Sequence, residues 1–144
     1  MKKKTALVTG TSRGIGKSIK ESLLNEQIEV ISPSRNELDL SSFESINDFL
    51  TNLSTSIDIL VNNAGILKVG QHNEISSVDF HEILQVNVIA PFVMMSKLSH
   101  SMKENKYGRI VNVSSIWSQV SRDGRSIYSA SKAAIDSLTR SFAF

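Results

Sequence analysis

Short apolar runs alternate with stretches of helical periodicity along almost the whole chain, and few architectures accept that order. Thr5-Ala6-Leu7-Val8 is closed by Gly10, as a buried parallel strand would be. Gly14 to about Asn25 then sets Ile15, Ile19, Leu23 and Leu24 on one helical face. Glu29-Val30-Ile31-Ser32 reads as a second strand stopped by Pro33, and Leu38-Asp39-Leu40 as a very short third one. Ser41 and Glu44 have capping-box spacing, with Phe43, Ile46, Phe49, Leu50 and Leu53 following at helical intervals. Ile57 to Val61 is a strong central strand, ended by Asn62-Asn63-Ala64-Gly65. After a polar loop, Ser76 with Asp79 opens a helix through Phe80, Ile83 and Leu84, which Pro91 kinks or divides beyond Asn87. Arg109 to Ser114 is the fifth strand, and from about Ser126 the chain reads as helical to Phe144.

Strands joined through helices need right-handed crossovers and assemble into a parallel sheet covered on both faces. The expected fold is α/β: a doubly wound parallel sheet of strand order 3-2-1-4-5, in one domain over residues 1–144. The far end is unusual. Ala134, Leu138 and Phe142 form an apolar stripe still running when the sequence stops, and the fifth strand would leave an open sheet edge. The expectation is a domain incomplete at its C-terminus.

Composition excludes several classes of function. Without cysteine there is neither disulfide nor thiolate chemistry. Sixteen Lys plus Arg against fourteen Asp plus Glu leaves a net charge of +2, part of it in the solvated Lys2-Lys3-Lys4 start. No basic stripe interleaved with aromatics is present, so nucleic acid is not the expected partner. His72, His81 and His100 lack ligand spacing, and no metal site is expected. No run reads as a membrane span or a signal-peptide core, so no membrane partner is expected and a cytoplasmic setting is the default.

The turn after the first strand, Thr9-Gly10-Thr11-Ser12-Arg13-Gly14-Ile15-Gly16, has glycines spaced G-x-x-x-G-x-G. Glycines there permit a tight turn and close approach of a pyrophosphate, which the free N–H groups at the helix start then hold. Arg13 in the turn and Arg35 just after the second strand are forked cations, and Ser34 stands where an NAD-preferring site usually has an acid. Two guanidiniums and no carboxylate suit a 2′-phosphate, so NADP is expected over NAD.

Tyr128 and Lys132 are four apart on a helix and share one face. An ammonium beside a phenol favours phenolate, which makes the tyrosine a workable general acid/base. Ser115 follows the fifth strand and could steady a carbonyl oxygen as charge develops. Asn87, beside the helix interruption, could hold a water linking the lysine to solvent. A serine-hydrolase reading of Ser115 lacks both a nucleophile elbow and a nearby histidine.

Taken together, Thr9-Gly10 with Gly14-Ile15-Gly16, Asn62-Asn63-Ala64-Gly65, Asn87, Ser115 and Tyr128-Ser129-Ala130-Ser131-Lys132 resemble the short-chain dehydrogenase/reductases in order and spacing. The likeness is greatest to the subfamily that includes 3-oxoacyl-carrier-protein reductases. The resemblance implies hydride transfer between NADP(H) and a carbonyl or secondary alcohol. It gives Tyr128 the proton, and gives Lys132 the lowering of the tyrosine pKa and a bond to the nicotinamide ribose. Ser115 would orient the substrate oxygen and Asn87 would keep the relay water. Gly10, Ser12, Arg13, Ile15 and Gly16 would line the phosphates and adenosine ribose, Asp39 and Leu40 the adenine. Asn63, Ala64 and Gly65 would support the central strand and cofactor. Relatives often pair through helices near Asn87–Lys103 and Ser126–Phe144, so a homo-oligomer is an expected partner beside the small-molecule substrate. Two departures stand out: the Arg35–Asp39 connection is too short for the usual helix, and the family's later strands and substrate-covering loop are absent. A nucleotide-binding module without turnover, or an inactive fragment, are the rival readings.

Overall fold

The computed structural model describes residues 3–143; Met1, Lys2 and Phe144, and with them part of the basic start and the expected last helical residue, lie outside the described residues. Four parallel strands form one sheet: β1 (Thr5–Val8), β2 (Glu29–Ile31), β3 (Ile59–Asn62) and β4 (Arg109–Asn112), in the order β2-β1-β3-β4. Leu7 pairs with Ile31 on one side and Leu60 on the other, and Leu60 with Ile110. The helices are α1 (Gly14–Asn25), α2 (Phe43–Thr51), α3 (Ser77–Leu84), α4 (Ala90–Glu104) and α5 (Ser126–Ser141).

Side-chain alternation along the strands divides the core into two layers. Leu7 and Leu60 face α2, α4 and α5 and pack with Ile46, Met94, Met95, Leu98 and Ile135. Ala6, Val8 and Val61 face the other way, toward Ile19 and Leu23 of α1. The expected covering of both faces is thus unequal. On the α1 side the outer strand is left uncovered among the described residues, and Val111 of β4 is 48% exposed.

The expected third strand does not form, which corrects the predicted order 3-2-1-4-5 at its outer edge and leaves the remaining strands in the order expected. Leu38 is buried in the core from a turn, Asp39 N–H donates to Ser45 Oγ (2.9 Å), and the Asp39 carboxylate bonds its own neighbour Ser41. Backbone and side-chain groups engaged in this way are not offered to a sheet ladder. The cap of α2 moves by one residue for the same reason. Asp39 engages Ser41, and Ser42 accepts from Ser45 N–H instead.

Ser76 and Asp79 form the expected reciprocal capping box at α3. The predicted interruption near Asn87 is a π-turn, Gln85–Ile89, in which Ala90 N–H reaches back to Gln85 O. Pro91 has no N–H to offer the Asn87 carbonyl, so the α ladder cannot run through this point unchanged. The run Ser77–Glu104 is, contrary to the reading from sequence, long and apolar enough to cross a membrane by length and composition. Ala90, Met94, Met95, Leu98 and Met102 of this run are buried in the core with Leu7 and Leu60, while Val78, Ile89 and Phe92 are exposed.

Candidate active site

Crossover connections bring every strand's C-terminal end to one rim, and the site is built there. At the first βα turn, Gly10 and Gly14 adopt φ of +70° and +57°, the left-handed region that favours glycine. Gly16 is required for a different reason: a Cβ there would lie 2.2 Å from Gly10 O and 2.3 Å from Asn63 Nδ2. Asn63 is the tie that creates this crowding. Its Nδ2 donates to Thr9 O (3.0 Å) and Gly10 O (2.9 Å), while the N–H groups of Asn63 and Ala64 both donate to Thr9 Oγ1. The end of β3 thus clamps the turn in place. Arg13 is the N-cap residue of α1 without a side-chain cap bond, and no acid stands in the first helical turn. The first N–H groups of α1 therefore face no negative side chain of the helix itself.

Beside this turn lies a cleft of about 490 Å³, within the size range of small-molecule sites. Of the predicted cofactor residues, Gly10, Ser12, Arg35, Asp39, Leu40, Ala64 and Gly65 line it; Arg13, Ile15, Gly16, Asn63, Tyr128 and Lys132 do not, and neither do the expected catalytic residues Asn87 and Ser115. Ile15 points outward at 64% exposure, and Asn63 and Gly16 serve the turn from behind. The cleft also takes in residues the sequence reading passed over, Lys20 and Glu37 among them. Glu37 overturns the premise of a β2 end without a carboxylate, because it accepts from both Ser34 N–H (2.7 Å) and Ser34 Oγ (2.8 Å). The Ser34-x-x-Glu37 spacing is a capping signal that could have found it. Asp39 is held below the usual carboxylate range, first by its Ser41 bonds and then by Arg35, whose Nε is 3.7 Å away.

Gly65, which lines the cleft, is also where the π-turn and α5 come close. A Cβ on Gly65 would lie 3.2 Å from Asn87 Oδ1 and 3.7 Å from Lys132 Nζ, so both polar groups border this glycine. The buried Asn87 amide is fully engaged: Oδ1 accepts from Ile66 N–H (2.9 Å), and Nδ2 donates to Ile66 O (2.9 Å) and Ser131 Oγ (3.0 Å). Ser131, completely buried, donates from its hydroxyl to the main-chain carbonyl of Tyr128 at 2.7 Å. It joins the π-turn to the helix that carries Tyr128, a role invisible in the sequence. Lys132 is 5% exposed and donates from Nζ to Val113 O at 2.7 Å. Burial lowers its pKa, with Asp136 opposing. The same ammonium lies 5.8 Å from the centre of the Tyr128 ring. Ser115 Oγ accepts from Trp117 N–H (3.2 Å) as the cap of a short 3₁₀ turn, Ile116–Ser118. Its proton goes to no acceptor among the described residues.

Comparison with known proteins gives this arrangement its relatives. The chain is 34% identical to the 3-oxoacyl-(acyl-carrier-protein) reductase FabG of Aquifex aeolicus, the alignment covering 97% of this chain and 66% of that protein. It therefore spans about two thirds of the length of the curated relatives it matches. Among solved structures it superimposes on 4-hydroxyisoleucine dehydrogenase complexed with NADH at a TM-score of 0.92 and 30% identity, covering 97% of this chain and 68% of that one. A structure from Beutenbergia cavernae described as an NAD(P) dependent gluconate 5-dehydrogenase, with NADP bound at low occupancy, gives a TM-score of 0.84 at 27% identity, with 97% and 65% covered. The family model for short chain dehydrogenases matches residues 36–144, which takes in the π-turn asparagine, the Ser115 loop and the Tyr128–Lys132 helix. By that match and these likenesses, the chain belongs to the short-chain dehydrogenase family.

Proposed function

We propose that this chain binds a nicotinamide dinucleotide along the β-strand rim and moves the proton in a reversible carbonyl–secondary alcohol conversion. When bound, the nicotinamide supplies the hydride chemistry. The observation that carries the reading is that Gly65, which lines the same cleft as the glycine turn, is bordered by Asn87 Oδ1 and Lys132 Nζ. The cleft's size and an α1 start free of acidic side chains fit a pyrophosphate-bearing ligand. Lys20 and Arg35 in the cleft favour NADP(H), set against the carboxylates of Glu37, Asp39 and Glu82 that line it too.

In this reading Tyr128 gives its phenolic proton to a carbonyl oxygen, or takes it back from an alcohol. Lys132 Nζ, 5.8 Å from the centre of the Tyr128 ring, is the nearby cation that faces charge developing on the phenolic oxygen. Ser115 donates its uncommitted proton to the substrate oxygen. Asn87 acts through structure on its side-chain side, since that amide is engaged. Its main-chain carbonyl, which Pro91 deprives of an α-helical donor, is the group to hold a relay water. The substrate is a small carbonyl or alcohol, the setting cytoplasmic, and a homo-oligomer would form through α4 and α5.

A nucleotide-binding module without turnover is the second reading, favoured by the bare outer face of β4. The test is turnover of a ketone panel with NADPH and NADH, for wild type and Tyr128→Phe. The phenylalanine variant is expected to lose at least about 100-fold in rate, the scale of general acid catalysis, while cofactor affinity stays within about twofold. Undiminished turnover removes Tyr128 from the proton step. Nucleotide binding with no turnover by the wild type establishes the second reading.

A further inference from the structure

Ser34 stands just beyond β2, and both of its donors converge on a single oxygen, Glu37 Oε2. Locally the contact closes a turn, with the N–H groups of Glu37 and Leu38 both reaching Ser34 O. Turn closure accounts for the contact but not for its surroundings. Ser34, Arg35, Glu37 and Lys20 all line the cofactor cleft. Two converging neutral donors with cations nearby are what an anionic phosphate oxygen needs. Here that group of donors is taken by the chain's own carboxylate, and Arg35 leans to Asp39.

We propose that Glu37 is an internal stand-in for the 2′-phosphate of the dinucleotide, so that its carboxylate must leave Ser34 before that phosphate can take the same two donors. The inference rests on the cofactor reading above. Glu37 thereby weakens binding of the phosphorylated cofactor and sets the discrimination between NADPH and NADH. NADH brings a neutral hydroxyl to this place and leaves the Ser34–Glu37 contact undisturbed. The exchange disturbs no packing, because Glu37 is exposed and the Arg35 side chain is 78% exposed. The Ser34 bonds also hold the Glu37 carboxyl below its ordinary pKa.

The experiment is titration of NADPH and NADH, followed by nucleotide fluorescence at fixed ionic strength, into wild type, Glu37→Ala, Ser34→Ala and the double variant. Glu37→Ala is expected to tighten NADPH by about tenfold, the release of one charge-assisted contact, with NADH changed by less than about twofold. In the Ser34→Ala background the gain must disappear, since the freed donors are gone. Glu37→Gln keeps the acceptor that closes the turn without the charge; it preserves the test if the alanine variant loses its fold, and is expected to shift NADPH in the same direction. A gain that persists without Ser34 would reduce Glu37 to a distant repulsive charge and overturn the proposal. So would an unchanged NADPH-to-NADH ratio, or a loss confined to NADH. Binding of neither nucleotide by the wild type would instead sink the cofactor reading itself.

Discussion

Gly16 and Gly14 lie in the same helix, and the same substitution at each is predicted to have very different consequences. Glycine to alanine inside a helix ordinarily stabilises by about 1 kcal/mol. At Gly16 the new Cβ meets Gly10 O at 2.2 Å and Asn63 Nδ2 at 2.3 Å. Each is roughly 1 Å inside a tolerable contact. Neither neighbour yields easily, because one is backbone in a φ of +70° and the other is bonded to Thr9 O and Gly10 O. Overpacking of this kind costs about 1–3 kcal/mol. Displacing Asn63 forfeits two further bonds at about 1 kcal/mol each. After the helix gain is deducted, Gly16→Ala should destabilise by about 2–4 kcal/mol.

At Gly14 a Cβ meets nothing within 4 Å, and only its φ of +57° is unfavourable, for about 1–2 kcal/mol. Urea unfolding followed by circular dichroism at a matched pH reads both variants against wild type. A Gly16→Ala variant as stable as wild type, or more stable as helix propensity alone dictates, would refute the clamp between Asn63 and the turn. So would a Gly14→Ala variant that is the more damaged of the two.

Two further outcomes follow from buried polar groups. Asn87→Ala leaves Ile66 N–H, Ile66 O and Ser131 without their partner, and should destabilise by about 2–4 kcal/mol in the same unfolding assay; a loss below about 0.5 kcal/mol would mean that water replaces the amide freely. Lys132 has its folded pKa pushed down by burial, so between that value and its unfolded pKa the unfolded chain holds more protons and stability rises with pH. Lys132→Met removes this slope: in thermal melts from neutral to alkaline pH, wild type should gain on the variant as pH rises above the lowered Lys132 pKa, whatever loss of the bond to Val113 O adds at every pH. A pH-independent gap would contradict it.

What the sequence made legible, and what it hid, has a physical division. Thr5–Val8 and Ile59–Val61 announce themselves because a strand buried on both faces must be apolar throughout. Tyr128 and Lys132 are equally plain, since a four-residue separation on a helix fixes their neighbourhood. Leu38–Leu40 misleads because burial of Leu38 is achieved from a turn, and an apolar residue says nothing of how its backbone bonds are met. Pro91 marks where the helix changes, yet the π-turn that aims Asn87 at Ile66 and Ser131 depends on packing between distant segments. Glu37 is present as a spacing, but that its carboxylate bonds a residue lining the cleft shows only in the fold.

The central claim is that a dinucleotide lies from the glycine turn to Gly65, with Lys132 at its far end. Amide chemical-shift mapping of the labelled chain titrated with NADPH tests it most directly. Shift changes should trace Gly10 to Gly16, Ser32 to Leu40, Asn63 to Ile66 and the Tyr128–Lys132 turn of α5. Changes confined to the groove at Ser99, Tyr107 and Thr139 on the opposite rim, or none at saturating nucleotide, would contradict the account.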